Sequence, residues 1–279
     1  MQVRNCLGAL RALPGRQTHL QLCDAAPRHS GPLALLIRHG ESVWNEADRF
    51  TGWVDVPLTE RGMRQMRRCA DELCHDEGLR RLISAVYTSE LRRAVSSASI
   101  LMDCSGMSAV PCRQDWRLNE REYGGLTGLR KREVRRVLGA GKFRRVWMDP
   151  PPSQSDALFS LNAHSLERLN NRTGESFEVT QSRALRFWDE VMQPHMARGE
   201  TVAMVSSKNL IKSLLVGLRT RDRSLDVREH RCGQDVPLRG PILEEHIPNG
   251  CIVKVAPERA RSGGQSLISK QASNENWQR

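Results

Sequence analysis

The stretch LALLIRHGES, residues 33–42, is the clearest indication of the fold in the sequence. Its first five residues are apolar and have the length of a strand, and the polar residues RHGES follow at once. Two further apolar runs, at 83–87 and 202–205, also end abruptly in polar residues, and a fourth, at 251–255, follows a Pro-Asn-Gly turn. Continuous apolar strands are typical of a sheet buried on both faces, as in parallel α/β proteins.

The segments between these strands have helical periodicity. Apolar residues form one stripe in 60–79, a second helix is predicted at 90–102, and a third is predicted at 177–192. Alternating strands and helices predict a doubly wound α/β fold, a three-layer sandwich around a mostly parallel central sheet. In such sheets the ligand site lies beyond the carboxyl ends of the strands, where the polar clusters of this sequence fall.

The composition limits the class of protein. The chain has 279 residues, with 43 Lys and Arg against 32 Asp and Glu, so its net charge is +11. A hydrophobic fraction of 39% excludes a membrane bundle, and no apolar run reaches the roughly 18 residues of a spanning helix. The positive charge indicates either a basic surface or a polyanionic partner, nucleic acid or a phosphorylated metabolite. With only 5% aromatic residues, the case for nucleic acid is weak.

The two ends differ in composition from the middle. Residues 1–30 are basic and amphipathic, with Asp24 as the first acidic residue. This composition is typical of a mitochondrial transit peptide, the alternatives being a disordered basic extension and a cytoplasmic location. Residues 257–279 are polar and aperiodic, which predicts a flexible tail. We therefore expect one folded domain at 31–256.

The eight cysteines predict neither a metal site nor a disulfide framework. No pair has C-x-x-C spacing, and the interval between Cys69 and Cys74, followed by His75, is a poor one for zinc. Scattered cysteines in a chain of this length indicate a reducing compartment.

The strongest chemical signal is His39 at the end of the first strand. A neutral imidazole nitrogen can attack phosphorus, and an ordinary pKa of about 6.5 leaves that nitrogen free at neutral pH. The neighbouring Arg38 offers a planar fork that fits phosphate oxygens, and Gly40 lets the backbone approach a ligand closely. These three residues predict a phosphoryl-transfer site.

Further motifs follow in a fixed order: NEADRFTGW (45–53), PLTERG (57–62), YTSELRRA (87–94) and LNEREYGGLTG (118–128). With RHGES they resemble the 2,3-bisphosphoglycerate-dependent phosphoglycerate mutases of the histidine phosphatase superfamily, from about residue 33 to residue 255. The stretch FRRVWMDPPP (143–152) is similar to the Arg-Arg and proline segment with which those mutases clamp their substrate.

The resemblance implies a role for each matching residue. His39 would accept the phosphoryl group, Arg38 and Arg93 would hold it, and Glu120 would act as the general acid and base. Ser42 and Asn45 would line the phosphate pocket, and Thr51 and Gly52 would contact the carboxylate end of the substrate. The rest of the substrate would be bound by Tyr123, Lys131, Arg144 and Arg145. The mutases of this family need no metal and are primed by 2,3-bisphosphoglycerate.

The sequence departs from the family after the third apolar run. The family pattern is similar to AAHGNSLR, whereas this chain has VSSKNLIK at 205–212. Ser207 stands at the position of the second histidine, Lys208 at that of the glycine and Lys212 at that of the arginine, and Asn209 matches. In the family the second histidine donates a hydrogen bond to the transferring phosphoryl group. Loss of one such donor typically costs about 10²–10³ in rate. Ser207 still offers a hydroxyl, and Lys208 either adds a cation for the phosphate or blocks the pocket.

A second departure is the charged insertion at about 219–246, which is longer than the family's usual segment. It is either a tolerated surface loop or a binding surface for a protein or RNA. The sequence leaves the oligomeric state open, with a homodimer as one alternative.

Three functions therefore stay open. The first is a phosphoglycerate mutase that acts on a phosphorylated three-carbon acid in glycolysis and is slowed by the missing histidine. The second is an inactive pseudoenzyme that serves as a scaffold in an organellar assembly. The third is a phosphatase of small phosphorylated metabolites.

Overall fold

A computed structural model describes residues 31–146, 174–223, 225–231, 234–238, 240–243 and 245–256. The predicted leader at 1–30, the predicted tail at 257–279 and the proline segment that follows Arg145 lie outside the described residues, except for Val146.

Seven strands form one sheet in the order β3-β2-β4-β1-β7-β5-β6. They are β1 (Ala34–Arg38), β2 (Ile83–Thr88), β3 (Cys112–Gln114), β4 (Thr201–Ser206), β5 (Asp226–Arg231), β6 (Gln234–Pro237) and β7 (Ile252–Ala256). The first four in that order are parallel to one another, and β7, β5 and β6 continue the sheet with antiparallel pairings. The prediction of an α/β fold with a mostly parallel core is confirmed, and the four apolar runs form β1, β2, β4 and β7.

Helices cover both faces of this sheet. They are α1 (Val43–Glu46), α2 (Glu60–His75), α3 (Glu77–Leu82), α4 (Arg92–Cys104), α5 (Lys131–Arg145), α6 (Phe177–Phe187), α7 (Gln193–Ala197) and α8 (Lys208–Arg221). Alternate residues of β1 pack on opposite faces, Leu35 and Ile37 with α2 and α4, and Leu36 with α6 and α8. This alternation makes the three layers. Among the described residues, no helix is long and apolar enough to cross a membrane.

Two predicted helices differ from the structure in detail. The helix predicted at 60–79 is broken at Asp76, which ends α2 and caps α3 by accepting a hydrogen bond from the Leu79 amide (3.1 Å). The helix predicted at 177–192 continues as a π-helix, Trp188–Met192, that leads into α7. Both changes follow from local hydrogen bonding, which the apolar period does not encode.

The charged insertion is built into the sheet. Residues 219–221 end α8, and β5 and β6 form a hairpin that pairs with β7. Leu238 and Ile242 join the core on the α6 and α8 face. The guanidinium of Arg219 donates to the Gly240 carbonyl (3.1 Å). Binding of a protein or RNA partner to this insertion stays a prediction.

Candidate active site

The carboxyl ends of three parallel strands meet at one edge of the sheet. In the pairing register Arg38 lies opposite Ser206, and Thr88 lies opposite Val205. The backbone amide of His39 donates to the Ser206 carbonyl (2.9 Å), so the register extends one residue beyond β1. His39 and Ser207 therefore leave adjacent strands side by side.

His39 is buried, with 3% of its surface exposed. Its Nδ1 lies 2.6 Å from the Gly40 carbonyl oxygen. Because a carbonyl only accepts hydrogen bonds, Nδ1 carries the proton and Nε2 keeps its lone pair. Burial, followed by the positive charges of Arg93 and Arg38, holds the pKa of His39 well below its usual value. The side chain is thus neutral at physiological pH, with its Nε2 lone pair free of a proton.

This lowered pKa predicts a pH-dependent stability. In the unfolded chain His39 takes up a proton below about pH 6.5, whereas the folded chain does not, so its contribution to stability is lost as the pH falls. We expect wild type to lose stability relative to His39→Gln by up to about 1.4 kcal/mol per pH unit below that point. Urea unfolding of both proteins at pH 7.5 and pH 5.5 measures this, and an unchanged difference between them would contradict it.

Gly40 fixes the backbone of the His39 loop against α2. A Cβ atom at Gly40 would lie 2.3 Å from the Gly62 carbonyl oxygen, and one at Gly62 would lie 2.1 Å from the Glu41 carbonyl oxygen. Two backbones approach here without side chains between them, which requires glycine on both sides. The sequence analysis gave Gly40 a ligand-approach role and missed its contact with Gly62.

Two buried arginines flank His39. Arg38 donates from Nη1 to the Ile247 carbonyl (2.6 Å), and burial lowers its pKa to about 10. Arg93 donates to the carbonyls of Val54 (2.9 Å) and Gly52 (2.8 Å). The φ of Gly52 is +54°, in the left-handed region that favours glycine. Its carbonyl thus positions Arg93, in addition to the substrate contact that the resemblance implies.

Three buried polar atoms at this edge make no hydrogen bond within the described residues: Arg38 Nε, Thr88 Oγ1 and Ser207 Oγ. They belong to the end of β1, the end of β2 and the residue after β4. Buried polar groups are normally hydrogen-bonded, so these three atoms are candidates for contact with a ligand. Together with two arginines and the amino end of α8, they form a site suited to an anion rich in oxygen atoms.

Burial lowers the pKa of Arg38, Arg93 and Lys131. Glu120 lies close enough for its negative charge to oppose that lowering in all three. It is buried, and its Oε1 accepts a hydrogen bond from the Arg121 amide (2.8 Å). A carboxyl group so placed can exchange a proton with a ligand held by the two arginines.

The loop before Glu120 is held by a buried ion pair that the sequence analysis missed. Arg183 Nη2 lies 2.7 Å from Glu175 Oε2, and Arg183 Nε lies 2.8 Å from Glu175 Oε1. Arg183 also donates to the carbonyls of Arg117 (2.8 Å), Asn119 (2.7 Å) and Glu120 (2.9 Å). Ser176 caps α6 by accepting a hydrogen bond from the Val179 amide (3.2 Å), at the start of the helix predicted at 177–192. Glu175 and Arg183 are 8 positions apart in the chain, and that spacing is a weak sequence signal for an ion pair.

Other predicted site residues surround this centre. Asn209 Nδ2 donates to the Tyr123 hydroxyl, and burial raises the pKa of Tyr123 well above its usual value. Lys131 Nζ lies 3.9 Å from Asp48 Oδ1, and burial lowers the pKa of Lys131. Thr51 is buried beside Gly52.

The structure gives the local environment of four further predicted residues, whose predicted roles stay predictions. Ser42 and Asn45 form a reciprocal cap at the start of α1, so Ser42 Oγ accepts from the Asn45 amide (3.3 Å). Arg144 and Arg145 are exposed on the last turn of α5. A substrate clamp by these two arginines stays a prediction.

Within the described ranges, no group of His, Cys, Asp and Glu is arranged to hold a metal.

Comparisons with known proteins agree with this geometry. A family model described as the histidine phosphatase superfamily (branch 1) matches residues 34–228. The chain is 34% identical over 251 residues to the 2,3-bisphosphoglycerate-dependent phosphoglycerate mutase of Corynebacterium diphtheriae, over 85% of this chain and 97% of the relative.

Two solved structures share the fold. The first is the Bacillus stearothermophilus protein YhfR, with TM-score 0.56, 26% identity and coverage of 80% of this chain and 90% of that one. The second is the phosphoglycerate mutase of Bacillus anthracis, with TM-score 0.50, 21% identity and coverage of 70% and 82%. The site, the family model and the mutase relative lead to one conclusion: this chain belongs to the histidine phosphatase superfamily and is phosphoglycerate mutase-like over most of its length.

Proposed function

We propose that this protein interconverts 3-phosphoglycerate and 2-phosphoglycerate by passing a phosphoryl group through His39, after priming by 2,3-bisphosphoglycerate. One observation carries this proposal. A buried neutral imidazole lies beside two buried arginines, at a sheet edge where three buried polar atoms have no hydrogen-bond partner in the described part of the chain. The name of the Corynebacterium diphtheriae relative supports both the substrate and the primer.

The proposed chemistry is a double displacement. His39 Nε2 attacks the phosphorus of the primer, the N–P bond forms as the ester P–O bond breaks, and the leaving oxygen takes a proton from Glu120. In the second half the free 2-hydroxyl of 3-phosphoglycerate attacks the phosphoryl group on His39, the N–P bond breaks, and Glu120 accepts the hydroxyl proton, which forms 2,3-bisphosphoglycerate. Transfer of the 3-phosphoryl group of this bisphosphate to His39 then releases 2-phosphoglycerate and restores the phosphorylated protein. Arg38 and Arg93 neutralise the charge on the phosphoryl oxygens in both halves.

Two alternative functions stay open. Hydrolysis of small phosphorylated metabolites requires only that the acid leaves before the phosphoryl group returns to it, so that water accepts the group instead. A serine at position 207, where the resemblance implies a histidine, favours an inactive binding protein. Both alternatives use the same anion site.

One assay separates the three. Purified full-length protein is given 3-phosphoglycerate with 2,3-bisphosphoglycerate, and 2-phosphoglycerate is followed through enolase, with inorganic phosphate measured in parallel. The proposal expects conversion that requires the primer. Phosphate release without conversion would replace it by hydrolysis, and neither product from folded protein would replace it by a binding role.

A further inference from the structure

The step from β4 into α8 carries two residues that the mechanism above does not use, Ser207 and Lys208. Because Arg38 is paired with Ser206, the next residue on each strand, His39 and Ser207, lies at the same level of the sheet. Ser207 therefore lies beside His39, and Lys208 follows it as the first residue of α8.

Ser207 is the N-cap of α8 and has 1% of its surface exposed. Its side chain makes no capping hydrogen bond, and its Oγ has no hydrogen-bond partner among the described residues. α8 has 14 residues, so its amino end carries the partial positive charge of a helix N-terminus. A buried hydroxyl at that end lacks only an acceptor.

Lys208 begins α8 among charges of its own sign. Burial, and then the charges of Arg38, Lys131 and Lys212, lowers the pKa of Lys208 to about 8, whereas Glu120 raises it. Lys212 itself donates to the Leu243 carbonyl (2.7 Å). The charges of Lys208, Arg38 and Lys131 act on one another, so a doubly charged anion between them would interact favourably with all three.

We propose that Ser207 and Lys208 together bind the transferring phosphoryl group, in place of the second histidine that the family resemblance implies. The hydroxyl donates one hydrogen bond, and the ammonium adds a charge-assisted bond to the phosphoryl oxygens. This rests on the proposed function for its ligand. Its chemistry requires only a phosphate-like dianion, so it can be tested without turnover.

The test is the dissociation constant for inorganic phosphate, measured by titration calorimetry on the full chain. We expect Lys208→Gln to weaken binding by about tenfold or more, and Ser207→Ala by about fivefold. Lys208→Arg keeps the charge and is expected to stay within about threefold of wild type. Lys142→Gln, which removes an exposed lysine from α5, is the control and is expected to change little. Circular dichroism establishes that each variant is folded.

The outcomes separate this inference from the proposed function. Weaker binding in Lys208→Gln and Ser207→Ala supports the inference even when wild type converts no phosphoglycerate. Wild-type affinity in both variants would overturn it, as would wild-type protein that binds no phosphate at millimolar concentration. Tighter binding by Lys208→Gly would also overturn it, because Lys208 would then be an obstruction.

Discussion

His39→Ala is expected to abolish phosphoryl transfer, with a loss in turnover of at least about 10⁴-fold. The substitution removes the Nε2 lone pair, and no covalent intermediate can form without it. Arg38, Arg93 and Glu120 remain in the variant, so ligand binding is expected to persist while chemistry stops.

The measurement is the primed conversion of 3-phosphoglycerate, with phosphate binding recorded on the same preparations. His75→Ala is the matched control, because His75 is an exposed residue at the end of α2. It is expected to keep wild-type turnover. Turnover that survives in His39→Ala would show that another group is the nucleophile.

Arg183→Met is expected to lower the free energy of unfolding by about 3–5 kcal/mol. Arg183 is buried and Glu175 is largely shielded, with side-chain exposures of 6% and 13%, and breaking such a pair leaves a carboxylate without its counter-charge. Three backbone carbonyls in the loop that leads to Glu120 lose their donor as well. Turnover is therefore also expected to fall, because Glu120 is less firmly positioned.

Urea unfolding of Arg183→Met, with the exposed Arg186→Met on the same helix as control, measures this effect. A Glu175→Leu and Arg183→Met double variant is expected to lose less than the sum of the two single losses, since neither charge is left alone. A loss below 1 kcal/mol in Arg183→Met would mean that the pair does not hold the loop.

The fold could be predicted because its signals are local in the chain. Each apolar run is long enough for one strand, and the polar residues that end the first three runs mark the carboxyl edge of the sheet. His39 stood out because it combines such an end with Arg38 and Gly40. The hairpin β5–β6 was not predicted, because its many charged residues resemble those of a surface loop. Its strand structure depends on pairing with β7, which is distant in the sequence.

The parts of the site that sequence reasoning missed depend on contacts between distant segments. Gly62 is 22 positions from Gly40, and nothing near Gly62 in the chain reveals that two backbones meet there. Arg183 donates hydrogen bonds to the backbone carbonyls of Arg117, Asn119 and Glu120. Every residue has a backbone carbonyl, so the sequence does not indicate which of them will be bonded. The cap that Ser42 forms on α1 was likewise not predicted, because its motif indicated only a place in the phosphate pocket.

Trapping the phosphorylated protein shows directly whether a phosphoryl group passes through His39. The full chain is incubated with 2,3-bisphosphoglycerate, quenched under alkaline conditions that preserve phosphohistidine, and mapped by mass spectrometry. We expect one acid-labile phosphoryl group on His39 of the wild-type protein and none on the His39→Ala variant. Wild-type protein without that group, or equal labelling of the variant, would contradict it.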